Sequence, residues 1–98
     1  MILETALIHV VPGQEAEFLN AIEEAKKVLK EAKGWKSISV KQGIERPSTF
    51  MLQLEWETLE NHTVDFRGSD AFATWRSHVG PFFLQPPVVE HFTLASKS

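Results

Sequence analysis

Imidazole and guanidinium groups can move a proton or hold an anion near neutral pH, and most of this chain's fall within one third of its length. His62, Arg67, Arg76, His78 and His91 lie between Glu60 and Phe92, interleaved with Phe66, Phe72, Trp75, Phe82, Phe83 and Phe92. A neutral imidazole accepts a proton, a guanidinium stabilises the anion left behind, and large rings hold a flat apolar molecule. We therefore expect His62, Arg67 and His91 to converge on an apolar pocket. The chain has no cysteine and no tyrosine. Thiol nucleophiles, disulfides, thiolate metal sites and phenolic acid–base chemistry are thereby excluded. No two histidines stand three or four positions apart on one helix, so no metal is expected.

Each of these residues also has a purely structural reading. His62, close to a helix start, reads equally well as a histidine bonded to backbone. His91 is either a satisfied core histidine or a base, and the two are compatible. Arg67 precedes Gly68 at a helix break and reads first as one half of an ion pair with Asp65, Asp70 or Glu90. Arg76 and His78 suit the negative end of a helix dipole. His9 is expected at the surface, and Trp35, Trp56 and Trp75 in the core or at a subunit contact.

The elements that position these groups follow from apolar spacing. Ile2 to Val11 reads as a strand apolar on both faces, so both faces are expected to be covered. Pro12-Gly13 ends it. Phe18, Ile22, Ala25, Leu29 and Ala32 form one stripe of a helix from Gln14 to Lys33, with acids early, lysines late and Gly34 as its stop. Trp35–Gln42 alternates as a half-polar strand near an edge, and GIERPS turns the chain into a second strand, Thr49–Glu57. Thr58 is a candidate cap for a short helix to about Phe66. Arg67-Gly68 interrupts it, and Ser69 or Asp70 caps a second piece through His78. Val88 to Ala95 is the last strand. The order βαββαβ predicts an α+β, ferredoxin-like fold: a four-stranded antiparallel sheet with its helices on one face. The opposite face of the sheet is expected to meet a second copy, giving a homodimer whose facing sheets enclose a barrel-like cavity.

At 98 residues with 43% hydrophobic and 23% charged composition, the chain is a single globular domain with its core at about residues 2–95. A net charge of −3 without a basic tract makes nucleic acid an unexpected partner. No apolar run approaches the roughly 18 residues of a membrane span and no leader pattern is visible, which leads us to expect no membrane partner and a cytoplasmic location.

Over about residues 2–95 the order of elements, with Trp56, His62, Phe66-Arg67, SDAF at 69–72, Trp75, GPFF at 80–83, Pro86-Pro87 and VEHF at 89–92, resembles the antibiotic biosynthesis monooxygenase family. That resemblance implies a dimeric α+β barrel. It also implies oxidation of a small electron-rich aromatic, anthrone- or quinol-like, by molecular oxygen without metal, flavin or other cofactor. On this reading His62 or His91 is the base and Arg67 the oxyanion partner. Phe66, Phe72, Trp75, Phe82, Phe92 and Trp56 are the ring walls. The chain lacks the tyrosine used by quinone-forming members. A haem-degrading branch of the superfamily has an asparagine on the first strand, and a tryptophan and histidine ten residues apart. Here Ala6, Phe66 and Arg76 occupy those positions, so haem degradation is not expected. The alternative from another class is a non-catalytic dimeric domain that binds a small hydrophobic molecule or serves as a stress or regulatory partner. A cavity open to solvent, with a histidine ring pointing into it and an arginine within reach, favours the enzyme. A space filled by aromatic rings, with the histidines tied to backbone, favours the binding domain.

Overall fold

The computed structural model describes residues 1–98. The strands are β1 (Ile2–His9), β2 (Trp35–Gln42), β3 (Thr49–Trp56) and β4 (Val88–Phe92), all antiparallel to their neighbours in the order β2-β3-β1-β4. This is the ferredoxin-like arrangement that the element order predicts. The two helices, α1 (Glu15–Ala25) and α2 (Asp70–Val79), cover one face of the sheet.

Alternation decides what lies under the helices. On β1, Glu4, Ala6 and Ile8 are buried, as is Val10 just beyond its end, and on β3 so are Phe50, Leu52, Leu54 and Trp56. Phe18, Ile22 and Ala25 from α1, then Leu29, Phe66 and Val79, close over them in one core. The other face carries Leu3, Thr5 and Leu7 of β1, Met51, Gln53 and Glu55 of β3, and Val88, Glu90 and Phe92 of β4. Val88 and Phe92 are about half exposed there, at 50% and 49%.

Three local features depart from the sequence reading. The α-helix stops at Ala25 and tightens to a 3-10 turn over Lys26–Glu31, which still buries Leu29. A bulge between Trp35 and Ser37 puts Trp35 opposite Trp56, so it packs on the core although simple alternation groups it with Ser37 and Ser39. The segment Asn61–Phe66 winds as a π-helix, with Arg67 N–H reaching back to His62 O at 3.1 Å. Such wide turns are rare and frequently sit at functional sites. This one is held at its start by a reciprocal cap. Thr58 Oγ1 accepts from Asn61 N–H and Asn61 Oδ1 accepts from Thr58 N–H, both at 3.1 Å. Ser69 caps α2, its hydroxyl accepting from Phe72 N–H at 3.2 Å.

Candidate active site

The first strand supplies the floor of a cavity of about 250 Å³, roofed by the π-turn and α2. Its wall contains Ala6, Ile8, Leu52 and Leu54 from the sheet, and Phe66, Phe72 and Trp75 from the helical segments. Phe83, Pro87 and Val89 complete the apolar lining, and the polar residues are Glu4, His62 and Arg76. The cavity lies on the helix face of the sheet within one chain. It is distinct from the space that two facing sheets of a homodimer are expected to enclose. At about 250 Å³ it falls just below the usual span for small-molecule sites, roughly 300–1,000 Å³, which suits a small ligand.

The π-turn delivers His62 and Phe66 inward, both buried, at 3% and 5% exposure. Trp56 stacks on the His62 ring (centroids 5.3 Å, interplanar 23°). His62 Nδ1 lies 2.8 Å from His91 Nε2, and on the other side His62 Nε2 lies 3.4 Å from Glu4 Oε1. Trp56 Nε1–H donates to that same Glu4 oxygen at 2.9 Å. The register places Glu4 directly across from His91 on the adjacent strand. Glu4, His62 and His91 thus form one polar line from the cavity floor to a half-buried ring on the edge strand. The 2.8 Å nitrogen pair needs one N–H donor and one acceptor, so the tautomers of the two rings are tied together.

The electrostatics follow from burial. Desolvation, reinforced by the positive charges of Arg67 and His91, lowers the His62 pKa to about 4. His91 is lowered too, by desolvation and then by Arg67. Glu4 moves the other way: burial raises its pKa, against the Trp56 hydrogen bond and the Arg67 charge, which pull it down. At neutral pH both imidazoles are therefore neutral.

The structure brings together some of the residues singled out from sequence and separates others. His62, Phe66, Phe72 and Trp75 are in the cavity wall. His91 reaches the cavity only through His62, and Trp56 lies behind the His62 ring, fully buried. Arg67 is exposed, outside the wall, and pairs with no carboxylate; it acts on the site through its charge. Phe82 is turned edge-on against Phe18 (6.0 Å), because Val11 N–H binds Phe82 O and Leu84 N–H binds His9 O, which gives Phe83 the wall position. Phe92 is on the opposite face of the sheet, since the alternation that turns His91 toward the helices turns Phe92 away. Arg76 lines the cavity, one helical turn beyond Phe72, and does more than complement a helix dipole. Glu4 was not recognised from sequence as a site residue. Its signal was parity, since Glu4 shares a strand face with Ala6, Ile8 and Val10. No group of three or more His, Asp or Glu side chains is arranged to hold a metal ion.

Comparison with known proteins decides the family. The model of the antibiotic biosynthesis monooxygenase family matches residues 1–77. The chain belongs to the antibiotic biosynthesis monooxygenase family. A Bordetella bronchiseptica protein named for the same family shares 39% identity, with 97% of each chain covered and a TM-score of 0.94. The Bacillus subtilis (strain 168) protein YczJ is 37% identical over 92 residues, covering 94% of this chain and 97% of its own length, and is itself uncharacterized. SnoaB of Streptomyces nogalater, a cofactor-independent oxygenase, superposes with a TM-score of 0.82 over 98% of this chain and 94% of its own. At 10% identity that likeness concerns the fold alone.

Proposed function

We propose that this family member is a cofactor-independent oxygenase acting on a small, flat, electron-rich aromatic of the anthrone or quinol class. The observation that carries the reading is an apolar cavity whose polar lining consists of a buried histidine, a buried carboxyl group and an arginine. Removal of a proton from the ligand leaves an electron-rich enolate or phenolate, able to pass an electron to molecular oxygen. For an anthrone the balance is simple: the methylene becomes a carbonyl, one oxygen atom enters the ring system, and the other leaves as water with the two displaced hydrogens. The apolar wall excludes bulk water from the anion, and Arg76 places a positive charge beside it. The cavity is open space and not a stack of rings, and the two histidines bond each other instead of backbone. Both features favour the enzyme over a non-catalytic binding domain.

The same reading takes the protein to be a homodimer. Leu7, Met51 and Val88 form one apolar row on the open face of the sheet, with Leu3 and Phe92 beyond the polar row of Thr5, Gln53 and Glu90, and a second copy can cover this face with its identical face.

Oxygen uptake by metal-free protein with 1,8-dihydroxyanthrone tests the activity. Uptake above the spontaneous rate is expected, reduced by ~10²-fold in a folded His62→Ala variant and substantially in His91→Ala. Tight binding of the anthrone without any uptake would move the protein to the ligand-binding class.

A further inference from the structure

Sequence reasoning places the base on a histidine, but the arrangement of lone pairs does not. His62 Nδ1 is paired with His91 at 2.8 Å, and its Nε2 is turned to Glu4 Oε1 at 3.4 Å, a contact without a hydrogen bond, on a ring that burial keeps neutral. His91 is not in the cavity wall. Glu4 is, and its two oxygens differ. Oε1 accepts from Trp56 and faces His62. Oε2 takes no hydrogen bond from any group of the chain, and it is not sealed from solvent, since the one buried side-chain polar atom without a partner is Trp35 Nε1. Glu4 lines the cavity floor, and one oxygen of its carboxyl group is thus free of partners within the chain.

We propose that Glu4 is the catalytic base, taking a proton onto Oε2 from a carbon or phenolic acid held flat between the sheet and α2. This rests on the oxygenase reading above and names the base of that reaction. The ligand is an aromatic with an enolisable C–H or a phenolic O–H directed at the sheet. In the step, the C–H or O–H bond breaks, an O–H bond forms at Glu4 Oε2, and the electron pair stays on the ligand as enolate or phenolate. Arg76, in the same wall and paired with no carboxylate, is the cation available to that charge. Burial makes the Glu4 carboxylate a stronger base than a solvated one, whereas the same burial makes His62 a weaker one. Trp56 is the positioning residue that holds Oε1, with the His62 ring stacked on it, and Oε2 is left to the ligand.

Proton abstraction can be measured apart from oxygen chemistry by following deuterium exchange into the methylene of 1,8-dihydroxyanthrone under nitrogen. Wild type is expected to accelerate exchange, and Glu4→Gln, which keeps the acceptor for Trp56, to lose ~10²-fold or more. Glu4→Asp should recover part of the loss. Trp56→Phe removes a donor that stabilises the carboxylate, so it should move the rise of the exchange rate to higher pH. The titratable and charged groups near Glu4 in that profile are His62 and His91, with the Arg67 charge felt from outside the wall and Arg76 elsewhere in the same lining. A Glu4→Gln protein that folds, binds the probe and exchanges it as fast as wild type overturns the assignment, as does a wild type that binds the probe and leaves it unexchanged. Exchange that depends on Glu4 without oxygen uptake in air would sink the oxygenase reading and leave the base in place. Uptake in air that is indifferent to Glu4 would do the reverse.

Discussion

Glu4 and His62 are buried side by side, and burial acts on them in opposite senses. The folded-state pKa of His62 is about 4, below its ordinary value of 6.5. Between those values the unfolded chain binds the proton more readily. The His62 contribution is therefore whole above about pH 6.5 and is lost as pH falls toward 4, by at most roughly 3 kcal/mol. Glu4 has a raised folded pKa. Its contribution is present below pH 4.5 and is lost as pH rises through the folded value, so at neutral pH and above the buried carboxylate destabilises the fold. Two outcomes follow. The His62 ring, observed by NMR, should stay neutral until the pH nears 4. Glu4→Gln should raise the urea midpoint at pH 8 while lowering proton abstraction, a trade of stability for activity. A midpoint unchanged or lowered at pH 8 would mean that the Arg67 and Trp56 interactions outweigh the desolvation.

The π-turn is the element on which the site depends. Its cap joins Thr58 to Asn61, and Asn61 Nδ2–H also donates to Asp65 Oδ2 at 3.1 Å. Asn61 is buried against Gly34, which holds φ at +78° in the turn that leads into β2. A methyl group at position 34 would collide with the Asn61 side chain and would also strain the left-handed backbone. Gly34→Ala is therefore expected to destabilise the protein by about 2 kcal/mol or more in urea titration. It should also disturb His62, because Asn61 can yield only by loosening the cap one residue before it. A substitution without effect on either stability or the His62 resonance would show that the turn accommodates the methyl group.

For the molecule as a whole, the sheet separates two tasks. One face holds the helices, the core and the cavity; the other exposes the apolar patch around Leu7, Met51, Val88 and Phe92. The cavity lies within one chain, on the face of the sheet away from this patch. Sedimentation at micromolar concentration is expected to give twice the chain mass. Leu7→Asp, at the centre of the patch and facing away from the core, should give a folded monomer. A wild type that sediments as a monomer would remove the second copy from the account. No helix is long and apolar enough to cross a membrane.

Periodicity and turn chemistry were enough to read the βαββαβ order, the strand limits to within a few residues, and the helix break at Arg67-Gly68. Those features depend on near neighbours in the chain: stripes at helical spacing, alternation along strands, and caps such as Thr58 and Ser69. The convergence of His62, Phe66, Phe72 and Trp75 on one cavity wall was also legible, since they share the inward side of consecutive helical segments. Strand pairing, which joins residues far apart in sequence, settled the rest. It set Glu4 opposite His91 and seated Phe83 where Phe82 had been expected, whereas the alternation along the last strand already separates Phe92 from His91. The bulge at Trp35 and the π-winding of Asn61–Phe66 likewise leave no mark in local composition, because each is a response to packing against another element. Local order is a property of adjacent residues. Which carboxyl oxygen is left with a free lone pair depends on every group that surrounds it, and that was decided only when the chain closed around Glu4.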